Sequence, residues 1–504
     1  MRRNVTLSVF LSLGVAAALA TGCQKKAAPG AAASNEANPT PAGGGKIPIT
    51  TSSEEAKAEF LKGRDLAEKL QITDSVAHYQ KAVSLDPNFA VAELNLATSA
   101  PTGSEFFDHL NKAVALIDKT SNGERLLILA TQAGANNNAM KQKQLLDDLV
   151  EAYPNDERAH FALGGWYFGQ LDYAKAIEHY KKATELDPTY STAFNILGYA
   201  YRQNVDYANA EKAFQSYVQL IPKDPNPYDS LAELYLKMGR YDDSIAQYRK
   251  ALEIEPNFVN AHQGIAMDLL YLGKPEEAAA ELANFTKKAR TDGERRTALF
   301  AETVVLVDGA KSARALENVN RQYTLAEKSN DVGAMAFDRA LKGNILLDSG
   351  KPDQARKEFE SGVKLVQDSN LSQEIKDNAM LVLHFNLARV ALARKDLATA
   401  RKEAEAFRLG ASSSRNPLQA KQVHEIDGMI AMAEKDYDKA VAEFQQANPQ
   451  NPQNLYRLCQ AYLGKGDATK AAESCKQAAE FNSLPNFNYA LIRTKAKAGA
   501  EKKG

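Results

Sequence analysis

Residues 157–190 read ERAHFALGGWYFGQLDYAKAIEHYKKATELDPTY, and residues 191–224 read STAFNILGYAYRQNVDYANAEKAFQSYVQLIPKD. Both segments are 34 residues long, and they share the places of their small, aromatic and proline residues. An internal repeat of this kind decides the fold of the whole chain. Five columns keep the same 34-residue interval: Pro154, Pro188, Pro222 and Pro256; Gly164, Gly198, Ala232 and Ala266; Leu163, Leu197, Leu231 and Ile265; Tyr167, Tyr201, Tyr235 and Leu269; Tyr180, Phe214, Tyr248 and Leu282.

Each repeat is predicted to contain two amphipathic helices, because its apolar residues recur at intervals of three and four. Gly164 on the first helix and Tyr180 on the second place a small residue opposite a large one, which lets the two helices approach closely. Pro188 ends the second helix, since proline cannot continue it. Gly239 and Gly273 stand where the first helix must turn into the second, a place suited to a left-handed backbone.

This pattern of Leu-Gly or Leu-Ala, Tyr, Ala, Tyr or Phe, and Pro at fixed offsets resembles the tetratricopeptide repeat (TPR). The resemblance implies an all-α fold, a right-handed superhelical solenoid of antiparallel helix pairs. It is most regular over residues 157–290, and weaker copies are readable on both sides. Residues 90–152 and 292–334 read as helical without most signature residues, so we expect helix pairs of unusual length there. Residues 409–418 are predicted to form an exposed loop.

The chain begins with the plan of an export signal. Arg2 and Arg3 precede an apolar run, residues 5–20, that is too short and too rich in alanine for a comfortable bilayer span. The run ends in Leu-Ala-Thr-Gly-Cys at residues 19–23, which resembles a bacterial lipobox, with Ala20 where that motif prefers leucine. The resemblance implies cleavage before Cys23, acylation of that cysteine, and a lipid anchor at the bacterial cell envelope.

Two further points bear on location. By analogy with enteric lipoproteins, Gln24 directly after the cysteine favours the periplasmic side of the outer membrane. In an alternative interpretation, Ala18-Leu19-Ala20 is an ordinary cleavage site of small residues, and the protein is secreted without an anchor. The predicted organisation is a lipoprotein signal peptide at 1–22, a lipid-anchored disordered stalk at 23–53, a TPR solenoid at 54–290, an irregular helical pair at 291–335, a degenerate TPR solenoid at 336–484, and a capping helix and tail at 485–504.

Charge and motifs exclude several classes of function. The chain carries 62 Lys and Arg against 63 Asp and Glu, a balance that offers no field to attract nucleic acid. No zinc-protease motif, phosphate-binding loop or nucleophile elbow occurs, and the Gly-Lys pairs at 273–274 and 350–351 are followed by proline at predicted turns. We found no spaced pair among the histidines, and we read His160 and His262 as packing residues rather than metal ligands. The sequence therefore predicts a protein that is not an enzyme and holds no cofactor or metal.

Two cysteines fall on adjacent helices of the last clear repeat. Cys459 and Cys475 occupy inward-facing columns where a small residue is expected, so two buried thiols are one interpretation. After export, the same pair could form a disulfide that stabilises the fold by about 3 kcal/mol. Sequence spacing does not decide between the two.

The first helix of each pair lines the inner wall of a solenoid, where an extended ligand would bind. Tyr and Arg at such positions favour a peptide or protein over a small molecule. The function predicted is therefore a non-catalytic scaffold or adaptor lipoprotein that binds an envelope protein or peptide. Alternatives are an enzyme or enzyme subunit that captures substrate, for which Asp229 and Glu233 are the pair to examine, and a purely structural spacer. The predicted groove residues are Arg158, Phe161, Phe168, Asn195, Tyr199, Arg202, Asp229, Glu233, Lys237, Asn260, Gln263, Met267 and Tyr271.

Overall fold

A computed structural model describes residues 45–100, 103–136, 138–414 and 416–501. The predicted signal peptide, Cys23 and most of the predicted stalk lie outside these residues. The described residues form helices, turns and short connections, with no strand among them. The predicted class, an all-α TPR-like solenoid of helix pairs, is confirmed. Among the described residues, no helix is both long enough and apolar enough to cross a bilayer.

The chain divides into two compact units, Met1–Pro227 and Tyr228–Gly504, called unit 1 and unit 2 below. The described part of unit 1 contains ten α-helices and one short 3-10 turn: α1 (Glu54–Glu68), α2 (Ile72–Leu85), α3 (Ala90–Thr98), α4 (Gly103–Ala115), the turn Ile117–Lys119, α5 (Asn122–Ala135), α6 (Ala139–Ala152), α7 (Glu157–Gly169), α8 (Tyr173–Leu186), α9 (Ser191–Gln203) and α10 (Tyr207–Leu220).

Unit 2 takes in most of the next helix and all later ones. Within both units, helices that are neighbours in the chain pack on each other. The remaining elements are α11 (Pro225–Lys237), α12 (Tyr241–Ile254), α13 (Val259–Tyr271), α14 (Pro275–Lys288), α15 (Asp292–Asp308), α16 (Ser312–Lys328), α17 (Val332–Asp348), α18 (Pro352–Gln367), α19 (Gln373–Ala393), α20 (Leu397–Ser414), α21 (Pro417–Glu434), α22 (Tyr437–Gln446), α23 (Pro452–Lys465), α24 (Ala468–Ala479), α25 (Phe487–Ala490) and α26 (Arg493–Glu501).

One contact recurs within the repeats. A glycine on the first helix lies against the ring of an aromatic residue 16 positions later on the second helix. A Cβ atom added at Gly198 would lie 2.6 Å from the ring of Phe214, closer than packed atoms come. The aromatic rings are buried at the centre of each helix pair. The same contact joins Gly63 to Tyr79, Gly164 to Tyr180, Gly343 to Phe359 and Gly428 to Phe444.

The turn between the two helices of a pair uses one left-handed residue. Gly239 and Gly273 have φ angles of 74° and 79°, which confirms the conformation predicted for them. The equivalent residues of the two preceding repeats, Leu171 and Val205, have φ angles of 64° and 62° without being glycine. The turn therefore has the same shape in successive repeats, although a side chain at this position strains the backbone.

Three details differ from expectation. Helices α3 to α6 have ordinary lengths of 9 to 14 residues, so the unusual length predicted for residues 90–152 is wrong, whereas α15 and α16 have 17 residues each. The loop predicted at 409–418 is mostly helix, because α20 runs on to Ser414 and Ala411 is buried. Asn416 accepts a hydrogen bond from the backbone N–H of Leu418 at 2.9 Å and starts α21.

The end of the predicted stalk packs on unit 1. The backbone N–H of Ile47 donates to Asp156 at 2.8 Å, that of Thr50 donates to Glu124 at 2.8 Å, and that of Ser52 donates to Asp86 at 2.9 Å. Carboxylates on three separate loops and helices thus hold an extended strip of chain. The sequence suggested a disordered segment up to residue 53 because residues 45–53 have no helical periodicity, but their backbone donors find fixed acceptors.

Replacing Gly198 with leucine is predicted to destabilise unit 1 by about 1 to 3 kcal/mol, because the new side chain must displace the ring of Phe214. Gly169→Ala is the control, since nothing lies within 4 Å of a Cβ atom added there and alanine is the better helix former. Urea unfolding measures both variants. Equal stability of Gly198→Leu and the parent protein would show that the helices do not cross at this glycine.

Candidate functional site

The predicted groove residues fall into two groups. Six of them lie on α7 and α9 in unit 1, and seven lie on α11 and α13 in unit 2. The two groups are described separately, because each unit has its own core and its own contacts to these residues.

In unit 1, the end of α1 covers the start of α7 and α9. Arg158 donates from Nε and Nη2 to Oε1 of Glu68 at 2.9 and 2.6 Å. The backbone carbonyl of Glu68 accepts a hydrogen bond from the hydroxyl of Ser191 at 2.8 Å. Arg158 is therefore held by a carboxylate of the same chain, and its role is to fasten the first repeat to the later ones.

The two phenylalanines of α7 belong to the packing of the repeat. The ring of Phe161 lies 5.5 Å from that of Tyr180 and 5.1 Å from that of Tyr190. Phe168 is buried, with its ring 5.3 Å from that of Tyr173. The chain itself therefore covers most of both rings, although the sequence placed them among the groove residues.

Asn195, Tyr199 and Arg202 on α9 are called the α9 column. Tyr199 packs edge-on against Phe214 at 5.1 Å, and the guanidinium of Arg202 lies 4.8 Å from the centre of the Tyr199 ring. Asn195 is only 4% exposed, yet its carbonyl oxygen Oδ1 has no hydrogen-bond partner among the described residues. A buried acceptor of this kind costs free energy unless a donor arrives to satisfy it.

In unit 2, residues 481–493 (the C-terminal segment) lie against the predicted groove. Lys237 donates to the backbone carbonyl of Phe481 at 2.5 Å, and its ammonium lies 3.8 Å from the centre of the Phe481 ring. The hydroxyl of Tyr271 donates to the carbonyl of Ser483 at 2.6 Å. Met267 is completely buried. At Lys237, Met267 and Tyr271, where the sequence predicted a separate partner, the chain supplies its own extended segment.

The C-terminal segment is anchored by a buried ion pair. Arg493 donates from Nε and Nη2 to the two oxygens of Asp308 at 2.6 and 2.5 Å, and both residues are buried. The ring of Tyr489 lies 5.6 Å from that of Tyr271. Lys495 makes a second, exposed contact with Asp348 at 2.9 Å. The predicted capping helix thus closes unit 2 through its side chains.

The other polar residues of α11 and α13 contact each other and the next repeat. Asn260 donates to Asp229 at 3.3 Å, and Gln263 donates to the carbonyl of Thr297 at 3.4 Å. The most perturbed carboxyl group of these helices is one that the sequence did not single out. Asp268 is completely buried, and burial raises its pKa to about 8, so that it is mostly protonated at neutral pH. Glu233 is half-buried on α11.

The histidines form a pattern that the sequence analysis missed. Five of the seven contact a glutamate on a neighbouring helix, at 2.5 to 2.8 Å: His78 with Glu59, His109 with Glu93, His262 with Glu281, His384 with Glu403, and His424 with Glu443. Four of these pairs are 19 residues apart in the chain, which is the interval between two facing positions of a repeat. A search at this interval finds them.

The remaining two histidines contact each other at the same interval of 19 residues, with Nδ1 of His160 3.2 Å from Nδ1 of His179. Nε2 of His160 lies 3.0 Å from the carbonyl of Pro154, so it carries the proton there and Nδ1 accepts from His179. Burial and the neighbouring His160 lower the pKa of His179. No group of three or more potential metal ligands occurs among the described residues.

Cys459 on α23 and Cys475 on α24 are joined by a disulfide, with an S–S distance of 2.08 Å and a Cα–Cα distance of 5.1 Å. Gly499 of α26 packs against it, since a Cβ atom added there would lie 2.4 Å from the sulfur of Cys475. The bond therefore links the two helices of the last repeat and supports the helix that follows.

Arg493→Ala is predicted to destabilise unit 2 by about 3 to 5 kcal/mol, because it leaves the carboxylate of Asp308 buried without its cation. Lys495→Ala is the matched control, since it removes an exposed pair worth about 0 to 1 kcal/mol. Thermal unfolding distinguishes them. Similar melting temperatures for the two variants would contradict the closure of unit 2 by Arg493.

Acid is predicted to weaken unit 1 through the histidine pair. Because the pKa of His179 is lowered in the folded state, the unfolded chain takes up the proton first. This part of the stability is therefore lost as the pH falls below 6.5, the ordinary pKa of histidine. His179→Gln should therefore lose less stability between neutral and mildly acidic pH than the parent protein does. His384→Gln, which removes a histidine facing a carboxylate, should not reduce that loss. Urea titrations at two pH values measure the difference, and a parallel response of all three proteins would contradict it.

Comparison with known proteins identifies the repeat. Family models described as "Tetratricopeptide repeat" match residues 142–191, 167–225, 340–417 and 431–497, and one described as "TPR repeat" matches residues 232–266. Together they cover about half of the 504 residues. No curated protein sequence matches the chain.

Several solved structures resemble parts of it. The crystal structure of MamA protein is 25% identical, with 33% of this chain and 91% of that chain covered and a TM-score of 0.31. MamA 41-end from Desulfovibrio magneticus RS-1 is 16% identical, with 34% and 98% covered and a TM-score of 0.31. A tetratricopeptide repeat protein from Parabacteroides merdae ATCC 43184 is 16% identical, with 52% and 98% covered and a TM-score of 0.39. The repeat models and the helix-pair fold together show that the chain belongs to the tetratricopeptide-repeat proteins.

Proposed function

We propose that this TPR protein is a non-catalytic adaptor of the bacterial cell envelope, anchored by lipid at Cys23, that binds a segment of another protein. TPR chains typically serve as protein-interaction scaffolds, and their first helices supply extended binding surfaces. The features at residues 2–24 support export and acylation, and Gln24 favours the outer membrane. The partner is a protein or peptide of the same compartment.

The binding function rests on the buried amide of Asn195. Its Oδ1 lacks a donor among the described residues, and it lies on the same helix as the ring of Tyr199 and the cation of Arg202. Because Oδ1 and the ring of Tyr199 are buried, a peptide reaches Oδ1 only when the side chain of Asn195 turns outward. Backbone N–H groups of an extended peptide would then satisfy Oδ1, beside the half-buried Arg202. Unlike Lys237 and Tyr271 of unit 2, Oδ1 of Asn195 is not bonded to an extended segment among the described residues.

Asn195→Ala is predicted to weaken partner binding about tenfold or more while leaving the protein as stable as before or slightly more stable, because it removes an unsatisfied buried group. The partner is first identified by crosslinking in native envelopes followed by mass spectrometry, and its affinity for each variant is then measured by calorimetry. Gln215→Ala on the exposed face of α10 is the control and should bind normally.

Two outcomes would contradict the binding proposal. One is an Asn195→Ala protein that binds the partner as tightly as the parent. The other is a parent protein with no reproducible crosslinked neighbour, which favours a structural spacer.

Cys23→Ser is predicted to move the protein from the membrane fraction to the soluble fraction, since acyl chains contribute about 0.8 kcal/mol per buried methylene and more than one chain anchors firmly. Cys459→Ser, which removes an internal sulfur, should stay with the membrane. Fractionation of cells expressing each variant gives the answer. A mature parent protein that begins after Ala20 and is soluble would support the secreted alternative instead.

A further inference from the structure

Unit 2 contains an arginine, Arg389, that forms no ion pair with a carboxylate of the described residues. Arg389 on α19 donates from Nη1 to the amide oxygens of Asn344 at 2.8 Å and Asn386 at 3.0 Å. No carboxylate of the described residues lies within ion-pair distance of its guanidinium, which makes it unlike the buried Arg493 and the half-buried Arg296, each paired with an aspartate. A guanidinium held by neutral amides alone keeps its full charge available for another anion.

The charged groups around Arg389 leave an excess of positive charge. Arg457 donates from Nη1 to Oε1 of Glu425 at 2.6 Å, and Asn454 donates to Oε2 of Glu425 at 3.1 Å. Glu425, the carboxylate beside the two arginines, is thus already shared by Arg457 and Asn454. Burial, with Arg457 adding to it, lowers the pKa of Arg389 to about 10 despite the opposing effect of Glu425. The cluster therefore carries one uncompensated positive charge.

The open edge of Arg389 can be reached. The residue is half-buried rather than buried, and neither Nε nor Nη2 is among the buried polar atoms that lack a partner. The two asparagines hold Nη1, and no hydrogen bond of the described residues occupies Nε or Nη2. This pair of parallel donors matches the two oxygens of a carboxylate.

Two exposed apolar side chains lie two helical turns from Asn344 and Arg389. Phe337 is 52% exposed and stands seven residues before Asn344 on α17, and Val382 is 40% exposed and stands seven residues before Arg389 on α19. Seven residues are two helical turns, so each pair shares a face and is about 10 Å apart. An extended peptide rises about 3.3 Å per residue, so this distance corresponds to about three residues.

We propose that Arg389 is a receptor for an acidic side chain in an extended segment of a partner protein, with an apolar residue of the same segment three positions away on Phe337 and Val382. The partner contributes an internal segment of its chain, not a chain end. The C-terminal segment is the precedent, because unit 2 binds it through the backbone carbonyls of Phe481 and Ser483 and not through a terminal carboxylate. This inference rests on the proposed function and names a recognition chemistry and a second binding surface, apart from the α9 column.

A peptide array tests the proposal with the full-length protein. The probes are random decapeptides that are acetylated and amidated, so that side chains supply the only carboxylates, and a second set has free C-termini. We expect the bound peptides of the first set to be enriched in Asp or Glu with an apolar residue three positions away. A preference for the free C-terminus irrespective of side chains would overturn the choice of an internal acidic residue.

The role of Arg389 is then measured with the best fluorescein-labelled decapeptide by anisotropy. Arg389→Gln should lower the affinity for this peptide about tenfold or more. Arg389→Lys keeps the charge but loses the paired donors, so its affinity should lie between those of the parent protein and Arg389→Gln. Arg394→Gln is the matched control on the same helix, since it removes only an exposed contact with Asp353. Unchanged melting curves show that each variant is folded.

The outcomes separate this inference from the proposed function. Neutral peptides that bind in a manner sensitive to Asn195→Ala but not to Arg389→Gln would support the α9 column and overturn the Arg389 site. Acidic peptides that bind Arg389→Gln as well as the parent would also overturn it. A parent protein that binds no decapeptide of either set contradicts the Arg389 site, whereas crosslinking in the envelope still decides the proposed function independently.

Discussion

The structure depends on one steric constraint, the close contact of a small residue with a large side chain across a helix pair, which in five pairs is a glycine against an aromatic ring. At Gly198 and Phe214, no room remains for even one more carbon atom. Because the helices cross so closely at this point, the apolar faces on either side meet the neighbouring pairs and become buried. The fold is therefore set within a repeat and then repeated, which is why each unit tolerates loops and helices of different length.

Close stacking also explains why both units bind parts of their own chain. A row of first helices presents hydrogen-bonding and aromatic groups, and these are satisfied wherever the chain can supply a segment. In unit 1, residues 46–53 and the end of α1 form hydrogen bonds with these groups. In unit 2, the C-terminal segment forms them. The surfaces that we propose for other proteins lie where an amide oxygen or a cation has no such partner among the described residues, as at Asn195 and Arg389.

The sequence predicted the contacts and turns within a repeat well, because they depend on residues that are close together in the chain. The spacing of Gly164 and Tyr180 and the left-handed turn at Gly239 could be read directly. The pairing of His160 with His179 follows from the same register and was overlooked. By contrast, the contact of Tyr271 with Ser483 spans 212 residues and depends on how many helix pairs complete the unit. Periodicity carries no information about such a closure, so the sequence could not show that the C-terminal segment lies against Lys237 and Tyr271.

The disulfide at the end of unit 2 affects how the array comes apart. In a linear stack, the last repeat has a neighbour on one side only, and fraying normally starts there. Here the terminal pair α23 and α24 is crosslinked, and α26 lies over the crosslink while Arg493 is tied to α15. Amide hydrogens at this end should consequently exchange as slowly as those of interior repeats, and loss of structure on heating should begin elsewhere in the unit.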